Sequence, residues 1–160
     1  DKVRATGSTT DGLVVDSSGR VQLPAIPCCH VRLTTSNPTD TSDPYTSTGV
    51  IKFDAVDVNQ GSCYSTSTGL FTCPVAGIYT AHVQALTANT SNNNVSLILV
   101  KNSTNYAFSY MSVSGVHRET NCSALMDCAA GDTISAHLTS GGIYISASNP
   151  YSAFIVRLVG

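Results

Sequence analysis

Side chains able to do acid–base chemistry are few in this chain: four histidines, His30, His82, His117 and His137, and a single glutamate, Glu119. Hydrolytic or transfer chemistry needs a nucleophile held against its base, or paired carboxylates. There is no GxSxG elbow, HExxH pair, phosphate loop or dinucleotide fingerprint. His82 and His137 fall inside alternating runs, where a packed or hydrogen-bonded imidazole is the commoner role. The densest carboxylate grouping is Asp40, Asp43, Asp54 and Asp57. Calcium favours several such oxygens, but nothing resembles an EF-hand loop, and these side chains are expected to solvate a loop and a strand edge. No CxxC spacing offers zinc a site. The expectation is a binding protein with no catalytic residues, metal or cofactor.

Cysteine is the other reactive type. The six cysteines, Cys28, Cys29, Cys63, Cys73, Cys122 and Cys128, form an even set that fits an oxidising compartment. They allow about fifteen complete pairings. Cys122 and Cys128, if they share one extended strand, stand about 20 Å apart and cannot join. Cys63 with Cys73 could close a turn-rich loop, and Cys73 with Cys128 is an equally reasonable bridge. Adjacent Cys28 and Cys29 would need a strained ring to pair together, and because they precede the domain next to the N-terminal arm, one of them is expected to link chains. Four glycosylation acceptors, at Asn89, Asn94, Asn102 and Asn121, also point to a secreted, extracellular glycoprotein.

Bulk composition narrows the partners. Hydrophobic residues make up 42% and charged residues 11% of the 160, and the formal charge is −2. The surface must therefore be built largely from Ser, Thr, Asn and Gly. Eight Lys and Arg are scattered without a cluster, which leaves nucleic acid no electrostatic footprint. No apolar run reaches the roughly 20 residues of a membrane helix, so membrane insertion is not expected. The first residues, Asp1-Lys2-Val3-Arg4, lack an apolar signal core, and any leader is expected to have been removed.

The elements that must position these groups read as strands. No window of a dozen residues repeats apolar positions at helical spacing, whereas period-two runs recur. Leu13-Val14-Val15 and Val21-Gln22-Leu23, parted by Asp16-Ser17-Ser18-Gly19, predict a hairpin or extended arm over residues 1–27. The main domain is expected over residues 28–160. Its strands are read near His30 and at Val50 to Val58, Ile78 to Ala88, Val95 to Lys101, Tyr106 to Val113, Thr120 to Cys128, Thr133 to Leu138 and Ala153 to Val159. Eight closely spaced strands argue for an all-β sandwich or jelly roll.

One stretch is more specific: Phe53, then Asn59-Gln60-Gly61-Ser62-Cys63-Tyr64, then Thr68-Gly69-Leu70-Phe71-Thr72-Cys73-Pro74-Val75-Ala76-Gly77-Ile78-Tyr79. With the Ala130-Gly131-Asp132 turn and the terminal Tyr151 to Leu158 run, it resembles the globular head of the complement C1q family, from about Cys28 to Gly160. The resemblance implies a jelly-roll sandwich of the C1q/tumour necrosis factor type that forms a homotrimer, linked by disulfides into larger assemblies if the N-terminal cysteines cross-link. No collagen-like Gly-X-Y tract accompanies it. Stand-alone domains of this kind occur among secreted mollusc proteins, some of them slug and snail agglutinins that recognise sialic acid.

That subgroup implies a multivalent lectin of innate immunity with sialylated glycans as partners. In such a jelly roll, loops gather at the end remote from the termini. That apex is expected to carry Asn92, His117, Arg118, Tyr144, Ser146 and Ser148. Arg118 could grip a carboxylate bidentately, and Tyr144 could stack on a sugar ring or N-acetyl group. The plain alternative pairs Arg118 with Glu119 at the surface. At the level of function, the alternative is a trimeric protein-binding or matrix subunit.

Overall fold

The computed structural model describes residues 2–3, 12–23, 26–34, 45–88, 93–114, 116–146 and 149–160. It is all-β. The strands are β1 Lys2–Val3, β2 Leu13–Val15, β3 Val21–Gln22, β4 Cys28–Arg32, β5 Gly49–Val50, β6 Ala55–Gln60, β7 Tyr64–Ser65, β8 Leu70–Thr72, β9 Gly77–Leu86, β10 Asn93–Lys101, β11 Thr104–Val113, β12 Glu119–Cys128, β13 Thr133–Ser140 and β14 Ala153–Leu158.

Two antiparallel sheets form the sandwich. One runs β12-β9-β14-β4-β6; the other runs β11-β10-β13-β8-β7, with β5 also pairing to β13. This is the jelly-roll order, in which sequence neighbours such as β9 and β10 lie in opposite sheets. A third, small sheet, β1-β2-β3, contains the N-terminal hairpin. Its turn is held by Asp16, which accepts hydrogen bonds from the amides of Ser18 and Arg20 at 2.8 and 3.0 Å.

Period-two alternation decides which side chains enter the core. Along β9, Tyr79, Ala81, Val83 and Ala85 turn inward; on the facing sheet Val95, Leu97, Leu99, Ile134, Ala136 and Leu138 do the same. The centre is aromatic. Phe154 stacks on Phe53 at 5.8 Å and lies 6.2 Å from Tyr64, while Phe71 meets Tyr79 edge-on at 5.9 Å. The Tyr64 hydroxyl is satisfied inside, accepting from the Phe53 amide at 3.0 Å and donating to the Phe53 carbonyl at 3.3 Å. Burial raises the pKa of that phenol, so it stays protonated as a donor.

The β7–β8 hairpin closes at Gly69, whose φ is +75°. A Cβ there would lie 2.6 Å from Val50 Cγ1 and 2.8 Å from the Ile51 carbonyl oxygen, so only glycine fits.

The run read as one strand from Val50 to Val58 is two. β5 joins β13 in one sheet, and β6 joins β4 in the other. Buried Ile51 and Phe53 lie on the crossing segment between them. Alternating apolar residues look the same in one strand as in a chain that changes sheets, because both bury every second side chain.

Strand register gathers the connections at two ends. Leu86 lies opposite Glu119, Asn93 opposite Val113 and Ser140 opposite Ser96, so the chain passes from β9 to β10, β11 to β12 and β13 to β14 at one end. Gly77 opposite Cys128 and Arg157 opposite Cys28 mark the other, near the C-terminus.

At that second end Asp132 organises the Ala130-Gly131-Asp132 turn. It accepts from Asn102 Nδ2 and from the Ala129 amide, each at 2.9 Å, and pairs with Lys101 at 3.1 Å. These contacts, the Asn102 bond foremost, hold its pKa down at about 2. Because the folded pKa is depressed, the stabilisation is complete above the unfolded value near 4 and is lost as pH falls through about 2. Urea midpoints measured across that acid window should therefore fall more steeply for the natural protein than for Asp132→Asn. Parallel curves would remove Asp132 from the account.

Candidate ligand-binding site

Buried Thr87, just past the end of β9, anchors the loops at the end remote from the C-terminus. It bridges to Ile143, its amide donates to the Arg118 carbonyl at 2.7 Å, and its Oγ1 accepts from the Arg118 amide at 2.9 Å. The Thr87 carbonyl meets His117 Nδ1 at 2.8 Å. A carbonyl only accepts, so Nδ1 carries the proton and Nε2 of the neutral ring is left as an acceptor.

Around this anchor three rings meet. Tyr144 contacts His117 edge-on at 5.0 Å and Tyr151 edge-on at 5.5 Å. Tyr144 is placed by its own backbone, whose amide donates to the Leu86 carbonyl at 2.7 Å. His117, Arg118 and Tyr151 are exposed and Tyr144 is half-buried. Among the described residues Arg118 makes no ion pair, and the Arg118–Glu119 pairing is not formed.

The structure thus brings together His117 and Tyr144, with Arg118 next in the chain. Ser146 lies in the same loop, but its hydroxyl accepts from the Asn149 amide at 3.1 Å and so supports the turn. Asn92 and Ser148 lie outside the described residues, as do Asn89 and the carboxylates Asp40 and Asp43. Two members escaped the sequence reading. Tyr151 lies in the connection over residues 140–152, and nothing in its sequence context shows that its ring turns toward His117 and Tyr144. Thr87 carries no sequence signal, since a buried threonine at a strand end looks like any other strand residue.

An unpaired guanidinium, an acceptor nitrogen and exposed ring faces suit a ligand that has a carboxylate and a hydroxylated or N-acetylated ring.

The remaining carboxylates and cysteines are placed elsewhere. Asp54 accepts from the Thr34 amide and hydroxyl at 2.8 and 3.0 Å. Asp57 grips Arg32 through two bonds of 2.6 and 2.8 Å. Cys73 and Cys128 are both buried and near enough to influence each other electrostatically, and the Cys128 thiol donates to the Met126 carbonyl at 3.7 Å. Cys122 and Cys128 occupy the same strand, β12, and the Cys122 thiol touches the Leu97 carbonyl. Cys29 is buried and its thiol is pushed up to about 12, whereas its neighbour Cys28 is half-exposed on the outward face of β4.

Comparison with known proteins adds the family. The C1q domain matches residues 34–156. No curated protein matches the sequence. Among solved structures, the globular domain of zebrafish complement 1qA protein is 18% identical with a TM-score of 0.63, over 84% of this chain and 98% of that one. Murine APRIL at pH 5.0 is 10% identical with a TM-score of 0.61, over 84% and 99%. Eiger TNF from S. frugiperda is 12% identical with a TM-score of 0.60, over 85% and 94%. At these identities the likeness is one of fold.

Proposed function

The chain belongs to the C1q domain family, and from that premise we propose that it is a secreted, trimeric lectin that binds sialylated glycans at the Thr87-anchored loop end. The single observation that carries the reading is Arg118, exposed and without an ion pair among the described residues, beside the His117–Tyr144–Tyr151 ring cluster. Arg118 grips the sialic-acid carboxylate, His117 Nε2 accepts from a hydroxyl, and Tyr144 or Tyr151 packs against the ring or its N-acetyl group. This is binding, not catalysis, in the service of innate recognition.

Trimerisation uses the outward face of the five-stranded sheet. Register puts Val58, His30, Ile155, His82 and Ser123 in one row across it, and Leu125 stands 67% exposed nearby. Three weak sugar sites on one rigid assembly raise avidity by roughly 10²–10⁴ when they engage together. Half-exposed Cys28, not buried Cys29, is the one available to link chains. In an oxidising medium Cys73 joins Cys128.

The test is a glycan array followed by titration with a soluble sialoside. Arg118→Ala should weaken sialoside binding by about 1.5–3 kcal/mol, roughly 10- to 150-fold. Arg118→Lys should fall between, since it keeps the charge and loses the fork. Undiminished affinity in Arg118→Ala would clear that residue. Binding to neutral glycans alone would end the sialic-acid reading, and agglutination indifferent to every sugar would favour a protein partner.

A further inference from the structure

Three large aromatic side chains stand in a row on the outward face of β11, the edge strand of its sheet. Tyr106, Phe108 and Tyr110 are 44%, 59% and 56% exposed. Phe108 and Tyr110 lie nearly parallel, 6.5 Å apart with an interplanar angle of 14°, and the Lys101 ammonium sits 5.9 Å from the Tyr106 ring centre. A contiguous aromatic row on an edge strand is an aggregation hazard that secreted proteins ordinarily cover.

Register identifies what stands beside it. On β10, Asn94 lies opposite Ser112, Ser96 opposite Tyr110 and Ile98 opposite Phe108. Val95, Leu97 and Leu99 are wholly buried, so Asn94 shares the outward face with Ser96, Ile98 and the aromatic row. Asn94 is exposed and begins the acceptor Asn94-Val95-Ser96. Its diagonal neighbour across the strand pair is Tyr110, at the roughly 7–8 Å separation that long groups span.

The other acceptors are differently placed. Asn102 spends its side chain on the turn, donating to Asp132 and accepting from the Thr133 amide at 2.9 Å each. Asn121 lies opposite Gln84 on the outward face of the five-stranded sheet, the face assigned above to assembly. Asn89 lies outside the described residues.

We propose that Asn94 carries an N-linked glycan whose first sugars pack their C–H faces on Tyr110 and Phe108 and cover the row. The bond formed joins Asn94 Nδ2 to the anomeric carbon of N-acetylglucosamine. The amide gives up one proton, and the lipid-linked diphosphate of the glycosyl donor leaves as the anomeric bond to it breaks. The glycan solvates an apolar face that the protein's low charge does little to protect. This inference rests on the secretory reading above and not on the loop-end site.

To separate the two, the chain is expressed behind a standard leader in glycosylating eukaryotic cells, which enforces secretion whatever its natural route. Peptide mass spectrometry of the secreted protein should find the glycan at Asn94. Asn94→Gln should lose it, gain fluorescence with a hydrophobic dye, and aggregate at concentrations where the natural chain stays dispersed. Should Asn94→Gln fold poorly, amidase removal of the glycan from folded protein should give the same dye signal, with Asn94→Asp as the control for the charge left behind. Phe108→Ser with Tyr110→Ser should abolish the dye gain in the Asn94→Gln background. An unmodified Asn94 in protein glycosylated at Asn89, Asn102 or Asn121 overturns the proposal, as does unchanged dye binding after glycan loss. Loss of the oligomer in Phe108→Ser alone would assign the row to a second copy and overturn it equally.

Discussion

Replacing Phe154 by alanine is expected to lower the unfolding free energy by about 3–5 kcal/mol, at the upper end of what a single substitution does. Phe154 is fully buried on β14, stacked at 5.8 Å on Phe53 and tilted against Tyr64. Its removal forfeits the burial of a whole ring and opens a cavity that two neighbours cannot refill. Phe53 is pinned through its backbone to the Tyr64 hydroxyl, so neither ring is free to slide inward. For a chain of this size the loss corresponds to a fall of about 6–20 °C in melting temperature. Phe108→Ala is the control: the same atoms are removed from an exposed site, and unglycosylated protein should change by no more than about 0.5 kcal/mol. Comparable losses at the two positions would mean that the central stack is not where the stability lies.

The second large effect concerns Cys73 and Cys128. The two are buried neighbours whose thiols interact electrostatically, where Cys128 ends β12 opposite Gly77 and Cys73 follows the β7–β8 hairpin. Cross-linking them closes the chain between positions 73 and 128, and the loop-entropy relation puts the stabilisation at about 4 kcal/mol. Two thiols give up two protons and two electrons, which a small-molecule disulfide such as oxidised glutathione accepts.

Burial, followed by the neighbouring Cys128, pushes Cys73 up to about 12, so almost no thiolate exists in the folded protein at neutral pH. The bridge should therefore form readily during refolding and very slowly once the reduced protein has folded. Alkylation and peptide mapping of protein refolded in a glutathione buffer should recover the 73–128 pair, and Cys73→Ser should lose the stabilisation. Recovery of Cys63 paired with Cys73 instead would overturn this assignment.

Much of this was legible from residue order. The Phe53, Asn59 to Tyr64 and Thr68 to Tyr79 blocks point to the C1q-like jelly roll from sequence alone, because turns and core aromatics at set spacing are local demands. Gly69 is an example: its positive φ answers a hairpin that begins four residues earlier. The break between β5 and β6 was not legible, since alternation reports burial and not which sheet a strand joins. Nor was the role of Thr87, whose partners are His117, Arg118 and Ile143, each about 30 or more positions away.

By itself, then, the sequence determined the fold class, the positions of the longer strands apart from that break but not those of the short β7 and β8, the poverty of catalytic groups and the fact that Cys122 and Cys128, on one extended strand, could not pair. These follow from period-two patterning, turn chemistry and the rise of an extended chain, all properties of neighbours along the backbone. Only the tertiary structure decided that Cys73 meets Cys128, that Tyr151 joins His117 and Tyr144, and that Asn94 stands beside an aromatic row. Those are through-space juxtapositions set by strand order and register. Closely similar residue patterns threaded through a different sheet order would have brought different side chains together.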